Sequence, residues 1–363
     1  MAFLRSSSRK LLLFSSFFLL CSQNRVLGAP QVPCYFIFGD SFSDNGNNNN
    51  LATVVKSNYL PYGIDFPGGP TGRFTNGPTY VDFIALLLGF DRYIRNFTDA
   101  LTNQDFVRGV NYASGAAGIR DETGFRLGDR ISFNHQLGRH FYIIAKIRAI
   151  LGDRATNLLL NECIYTVEMG TNDYANNYFM PQFYPTSRLY TPQQFAVVLV
   201  NQYARQLMYL YDLGARKVAI IGLGLLGCAP QELSKFSASN GSTCIKKLND
   251  AVIMFNDQLR PLVQRLNSNR TNATFTLIDM VSIANSSSAS LPPLDTRVPC
   301  CETITSIGTC KPNGAVCANR DSYAYFDGYH STRIVSQSMA AISYDKARPS
   351  DAYPYDIHQL AMM

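Results

Sequence analysis

The stretch YFIFGDSFSDNGN, residues 35–47, joins four apolar residues to a loop of serine, aspartate and asparagine. Tyr35 to Phe38 is too short for a helix and rich in side chains that suit a buried strand, and Gly39 allows a tight exit from it. The same apolar pattern returns at Cys163 to Val167, Lys217 to Ile221 and Phe275 to Ile278. Helical patterns lie between these runs. Thr191-Pro192-Gln193-Gln194 has the form of a capping box with proline at the first helical position. Phe195, Leu199, Tyr203, Leu207 and Leu210 then repeat at helical spacing, and Gly214 stops the helix. Further helices are predicted over Tyr80 to Leu88, Ser132 to Leu151 and about Ile245 to Leu266. Strand and helix in alternation predict an α/β fold, a parallel sheet with helices on both faces. No internal repeat or hinge-like linker appears, so residues 29–363 are expected to form a single domain.

Of the 363 residues, 46% are hydrophobic and 16% charged, which excludes a disordered chain or a fibre. The formal net charge is +6, but residues 1–28 contribute Arg5, Arg9, Lys10 and Arg25 and no acid. Without them 28 basic groups face 26 acidic ones, a balance too even for a nucleic-acid partner. Arg5, Arg9 and Lys10 precede the apolar run Leu11 to Cys21, and small Gly28 follows. That order describes a secretory signal over residues 1–28. A membrane span takes about 20 apolar residues, roughly twice this run. The expected product is a secreted, extracellular protein with no transmembrane segment.

Eight cysteines follow the signal: Cys34, Cys163, Cys228, Cys244, Cys300, Cys301, Cys310 and Cys317. An even number in a secreted chain points to disulfides, in any of about 105 connectivities. Zinc lacks its usual CxxC pairs and spaced histidines, so no metal is expected. Five sequons, at Asn96, Asn240, Asn269, Asn272 and Asn285, are candidate glycosylation sites.

Reactive groups in such sheets gather beyond the carboxyl ends of the strands. Ser41 stands there, after the first strand, where it can act as a nucleophile if a base takes its proton, or else cap a helix. The small-residue run Asn111 to Gly118 lets backbone approach a ligand, and the Gly115 amide can donate to an oxyanion. Asn172, in Gly170-Thr171-Asn172-Asp173, can add a side-chain donor or form an Asx turn. Asp327 precedes His330 by one helical turn, a spacing that lets its carboxylate fix the imidazole tautomer.

Taken together, these blocks resemble those of plant GDSL-motif esterases/lipases of the SGNH hydrolase superfamily. The matching residues are Gly39-Asp40-Ser41, Gly115, Gly170-Thr171-Asn172-Asp173 and Asp327-Gly328-Tyr329-His330. Gly72 to Gly77, Leu213 to Arg216 and Gly224 to Pro230 extend the resemblance over nearly the whole chain after residue 28. It implies a three-layer α/β/α flavodoxin-like fold and hydrolysis of lipid or other acyl esters without a cofactor. It also implies Ser41 as nucleophile, His330 as general base, Asp327 as its orienting carboxylate, and Ser41, Gly115 and Asn172 as oxyanion donors. The chain departs from the family pattern at Phe42, Glu302, Phe326 and Ser331. A monomer acting on an acyl-ester small molecule or lipid is expected. The alternatives are an acyltransferase using the same acyl-enzyme and a degenerate hydrolase that serves as a binding protein.

Overall fold

The computed structural model describes residues 29–236, 244–270 and 272–363. The expected signal segment and the sequon at Asn240 lie outside the described residues. Strands β1 (Tyr35–Phe38), β2 (Ile164–Glu168), β3 (Lys217–Ile221) and β4 (Thr274–Ile278) pair in parallel in that order. A two-residue strand, β5 (Ala352–Tyr353), closes the β4 edge in the antiparallel sense. At the other edge residues 110–112 run beside β1: the Ile37 amide donates to Val110 O at 3.1 Å, and the Tyr112 amide to Ile37 O at 2.8 Å. The chain leaves β1 first toward this edge segment and then crosses to β2 on the opposite side. That reversal makes a crevice beyond the carboxyl ends of β1 and β2.

Strand residues alternate between two cores, as the pleat requires. Phe36, Phe38, Tyr165, Val167, Val218 and Ile220 pack with helices Phe133–Leu151, Pro192–Asp212 and Lys246–Asn269. Tyr35, Ile37, Ile164, Ala219 and Ile221 pack on the other face with helices Tyr80–Leu87, Arg333–Tyr344 and Ile357–Ala361. The result is the expected three-layer α/β/α arrangement. The capping box forms as read: Thr191 Oγ1 accepts from the Gln194 amide, and Gln194 Oε1 from the Thr191 amide. Gly214, at φ +109°, follows the helix end.

Several element boundaries differ from expectation by a few residues. The second strand runs from Ile164 through buried Glu168, one residue later at each end than the apolar run Cys163 to Val167. The helix expected to end near Leu266 runs on to Asn269. The eight cysteines pair as Cys34–Cys163, Cys228–Cys244, Cys300–Cys317 and Cys301–Cys310. Among the described residues no helix is long and apolar enough to cross a membrane.

Candidate active site

Ser41 opens a single tight turn after β1. The Asp40 carbonyl accepts the amides of Ser43 and Asp44, while Asp40 Oδ1 accepts that of Phe42 at 2.9 Å. The Ser41 hydroxyl caps no helix; it donates to His330 Nε2 at 2.7 Å. His330 Nδ1 in turn lies 2.8 and 2.9 Å from the two oxygens of Asp327, so the Nδ1–H tautomer satisfies both contacts.

Asp327 is fully buried, and its acceptor capacity is filled. Oδ1 takes the amides of Tyr329 and His330, each at 2.8 Å, and Oδ2 takes the Tyr62 hydroxyl at 2.5 Å. Tyr62 also accepts the Cys310 amide at 3.0 Å, which ties Asp327 to the disulfide-bonded loop. Phe74 covers the imidazole with ring centroids 5.0 Å apart, and Phe326 packs edge-on against Tyr62. Burial pushes the His330 pKa down, but the charge and hydrogen bond of Asp327, with the charge of Asp40, outweigh it, and the pKa stands above its ordinary value.

Asn172 follows β2 across the crevice from Ser41. Its Nδ2 donates to Asp40 Oδ2 at 2.8 Å and to Ala117 O at 3.0 Å, and its Oδ1 accepts from Asn176 at 2.7 Å. Gly115 departs from its expected geometry. Its amide donates to Asp44 Oδ2 at 3.0 Å and so is not aimed at Ser41. The absence of a side chain at Gly115 serves packing instead, since a Cβ there would stand 2.7 Å from Asn48 Nδ2. The next residue, Ala116, takes a left-handed conformation at φ +66° and lines the crevice. Its amide and that of Ser41 have no acceptor among the described residues. Asp44 collects the amides of Gly46, Asn47 and Gly115; burial pushes its pKa up to about 6 against these bonds.

The crevice is a cavity of about 740 Å³ with Ser41, Asn172, Glu168 and His330 on its wall. Leu127, Met180, Ile221, Leu225, Met280 and Leu291 give the remainder an apolar character. Of the positions that depart from the family pattern, Phe326 is buried against Tyr62, and the Ser331 hydroxyl is 2.8 Å from that of Ser336. Glu302 is exposed and pairs with Lys311 at 2.5 Å, away from the cavity lining.

The sequons divide by exposure. Asn269, Asn272 and Asn285 are exposed, and Asn285 stands on the cavity wall. Asn96 corrects the expectation: it is 4% exposed, and its Nδ2 is committed to Asp99 at 2.7 Å and to Asn45 O. No glycan fits there without breaking that network.

Tyr62 and Glu168 are absent from the sequence-based set of site residues. A loop tyrosine 265 positions from its partner carries no local signal, and a glutamate ending an apolar strand reads only as the strand's limit.

Residues 35–342 match the GDSL-like Lipase/Acylhydrolase family. Three Arabidopsis thaliana proteins named GDSL esterase/lipase are similar throughout. At1g29660 is 48% identical over 93% of this chain and 94% of its own, and At4g18970 is 45% identical over 94% and 96%. At5g45670 is 46% identical over 92% and 93%. A solved gut microbial diltiazem-metabolizing enzyme aligns with 75% of this chain and 42% of its own, at 13% identity and a TM-score of 0.30. That last likeness is too weak to bear on the fold. With a family match over residues 35–342 and relatives 45–48% identical over more than nine-tenths of both chains, the chain belongs to the GDSL-like lipase/acylhydrolase family.

Proposed function

We propose that this carboxylic ester hydrolase is a secreted, single-domain serine esterase of residues 29–363 that cleaves lipid or other acyl esters through a covalent intermediate on Ser41. The observation that carries the reading is the chain of contacts from Ser41 to His330 to Asp327, set in the wall of a largely apolar cavity. His330 Nε2 takes the Ser41 proton as Oγ attacks the ester carbonyl, and Asp327 stabilises the imidazolium. The tetrahedral oxyanion is received by the Ser41 amide and by Asn172 Nδ2, one of whose hydrogens must leave Asp40 or Ala117 to reach it. Gly115 can join them only by leaving Asp44, whereas the Ala116 amide is already without an acceptor. His330 then protonates the departing alcohol. In the second half-reaction it activates water, which releases the acid and restores Ser41.

A fluorophosphonate probe followed by peptide mapping tests the reading. Label on Ser41 and its loss in Ser41→Ala, with turnover down by at least about 10³-fold, support it. A folded protein that takes no label refutes it. Free acid as the main product in the presence of glycerol separates hydrolysis from acyl transfer.

A further inference from the structure

Directly behind Ser41 two carboxyl groups touch. Glu168, the last residue of β2, is 6% exposed, and Asp40, beside the nucleophile, is 3% exposed. Each carboxyl lies close enough to shift the ionisation of the other, an arrangement that favours one shared negative charge over two. Thr171 Oγ1 lies 3.5 Å from Glu168 Oε1. Its other oxygen, Oε2, is buried with no hydrogen-bond donor in reach among the described residues. Asp40 meanwhile accepts the Phe42 amide on one oxygen and Asn172 Nδ2 on the other. The Asn172 amide, an expected oxyanion donor, is therefore held at rest by one member of a carboxyl pair.

We propose that Glu168 is a positioning residue: kept protonated, it donates to Asp40 and holds the charge beneath the Asn172 amide at a single unit, so that this amide can be drawn to the oxyanion. The role rests on the serine-esterase reading above. An ionised Glu168 would put a second negative charge beside the place where negative charge develops. It would also leave Asp40 with its full grip on the Asn172 N–H, and both effects oppose the transition state.

Burial pushes the Glu168 pKa well above the carboxylate range, with the Asp40 charge adding to the shift. Burial also raises Asp40, against its hydrogen bonds and the charge of His330. The remaining groups that face Glu168 are the phenols of Tyr80 and Tyr203, from helices on opposite sides of the sheet. Burial keeps both phenols neutral. Among the described residues, the cation-forming group that acts on the pair is His330, through Asp40.

The experiment is the pH dependence of kcat/KM on a soluble p-nitrophenyl acyl ester for wild type, Glu168→Ala and Glu168→Gln. The wild type should show an alkaline limb where the pair loses its remaining proton. Glu168→Ala should lower the neutral rate about tenfold, and Glu168→Gln, whose amide still donates to Asp40, should recover most of it while losing the alkaline limb. Infrared difference spectra at neutral pH should show a protonated-carboxyl band that disappears in Glu168→Gln even if that variant is inactive. An alkaline limb unchanged in Glu168→Gln, or no such band, overturns the inference. Absence of any wild-type turnover would sink the esterase reading itself, an outcome distinct from turnover whose alkaline limb ignores residue 168.

Discussion

The Tyr62 hydroxyl lies 2.5 Å from Asp327 Oδ2, a contact between fully buried side chains 265 positions apart. The hydroxyl draws charge from the carboxylate that steadies His330. In Tyr62→Phe the carboxylate keeps that charge, holds the imidazolium more firmly and raises its pKa further. The acid limb of kcat/KM should move to higher pH and the rate at neutral pH should fall several-fold, with about 1–3 kcal/mol of stability lost as the Cys310 amide loses its acceptor. A pH–rate profile beside a thermal melt checks both. An acid limb that stays in place would show that Tyr62 serves packing alone.

Asp327→Asn should act in the opposite sense. Removing the charge that raises His330 moves the acid limb to lower pH, while the wrong tautomer lowers the plateau by about 10³–10⁴-fold. Both changes are read from one titration of kcat/KM. A plateau within tenfold of wild type would contradict the role given to Asp327.

His140 offers a test of stability unconnected with catalysis. It is fully buried among Phe36, Phe38 and Tyr165, with Tyr112 Oη 3.0 Å from Nδ1. Burial pushes its pKa down to about 3, below the ordinary value of 6.5. A depressed folded-state pKa stabilises above the unfolded value, and that stability drains away as pH falls from about 6.5 toward 3. The drain is about 1.4 kcal/mol per pH unit for this one group. Urea unfolding at pH 7, 6 and 5 should therefore fall more steeply for wild type than for His140→Phe. Parallel slopes would mean the ring takes up its proton in the folded state.

The disulfides should separate stability from activity. Cys34–Cys163 closes 129 residues and Cys301–Cys310 only 9. Loop-closure entropy makes removal of the longer crosslink the costlier by about 2 kcal/mol. Removal of the shorter one frees the Cys310 amide from Tyr62 and should show mainly in turnover. Denaturant midpoints and ester turnover for Cys34→Ala/Cys163→Ala and Cys301→Ser/Cys310→Ser make the comparison; the reverse ranking of stability would contradict the loop argument.

What was legible in the sequence was whatever local chemistry decides. Tyr35–Phe38 and Lys217–Ile221 are strands over their expected residues because buried apolar runs leave little choice, and the Thr191 capping box starts its helix where it reads. Glu168 extends β2 one residue past its apolar run, a charged residue by composition that is buried beside Asp40, 128 positions earlier. The edge segment at 110–112 and two-residue β5 carry too few residues to register as strands. The small-residue run at Asn111 to Gly118 was read as letting backbone approach a ligand; at Gly115 the closeness is to Asn48, whose Nδ2 would stand 2.7 Å from a Cβ there. Which amide points where depends on the turn at Ala116 and the reach of Asp44, and neither has a pattern in the chain.

The disulfide map also has a meaning for how the chain is made. After residue 28 the first cysteine pairs with the second and the third with the fourth, and no other cysteine lies inside either loop. A chain fed N-terminus first into an oxidising compartment would thus meet each correct partner as the next thiol to arrive. Only the last four, nested as Cys300–Cys317 around Cys301–Cys310, present a choice, among about three pairings. On that route, dependence on a disulfide isomerase would be confined to one junction, the adjacent Cys300 and Cys301, in the loop that holds Tyr62 against the Asp327 carboxylate.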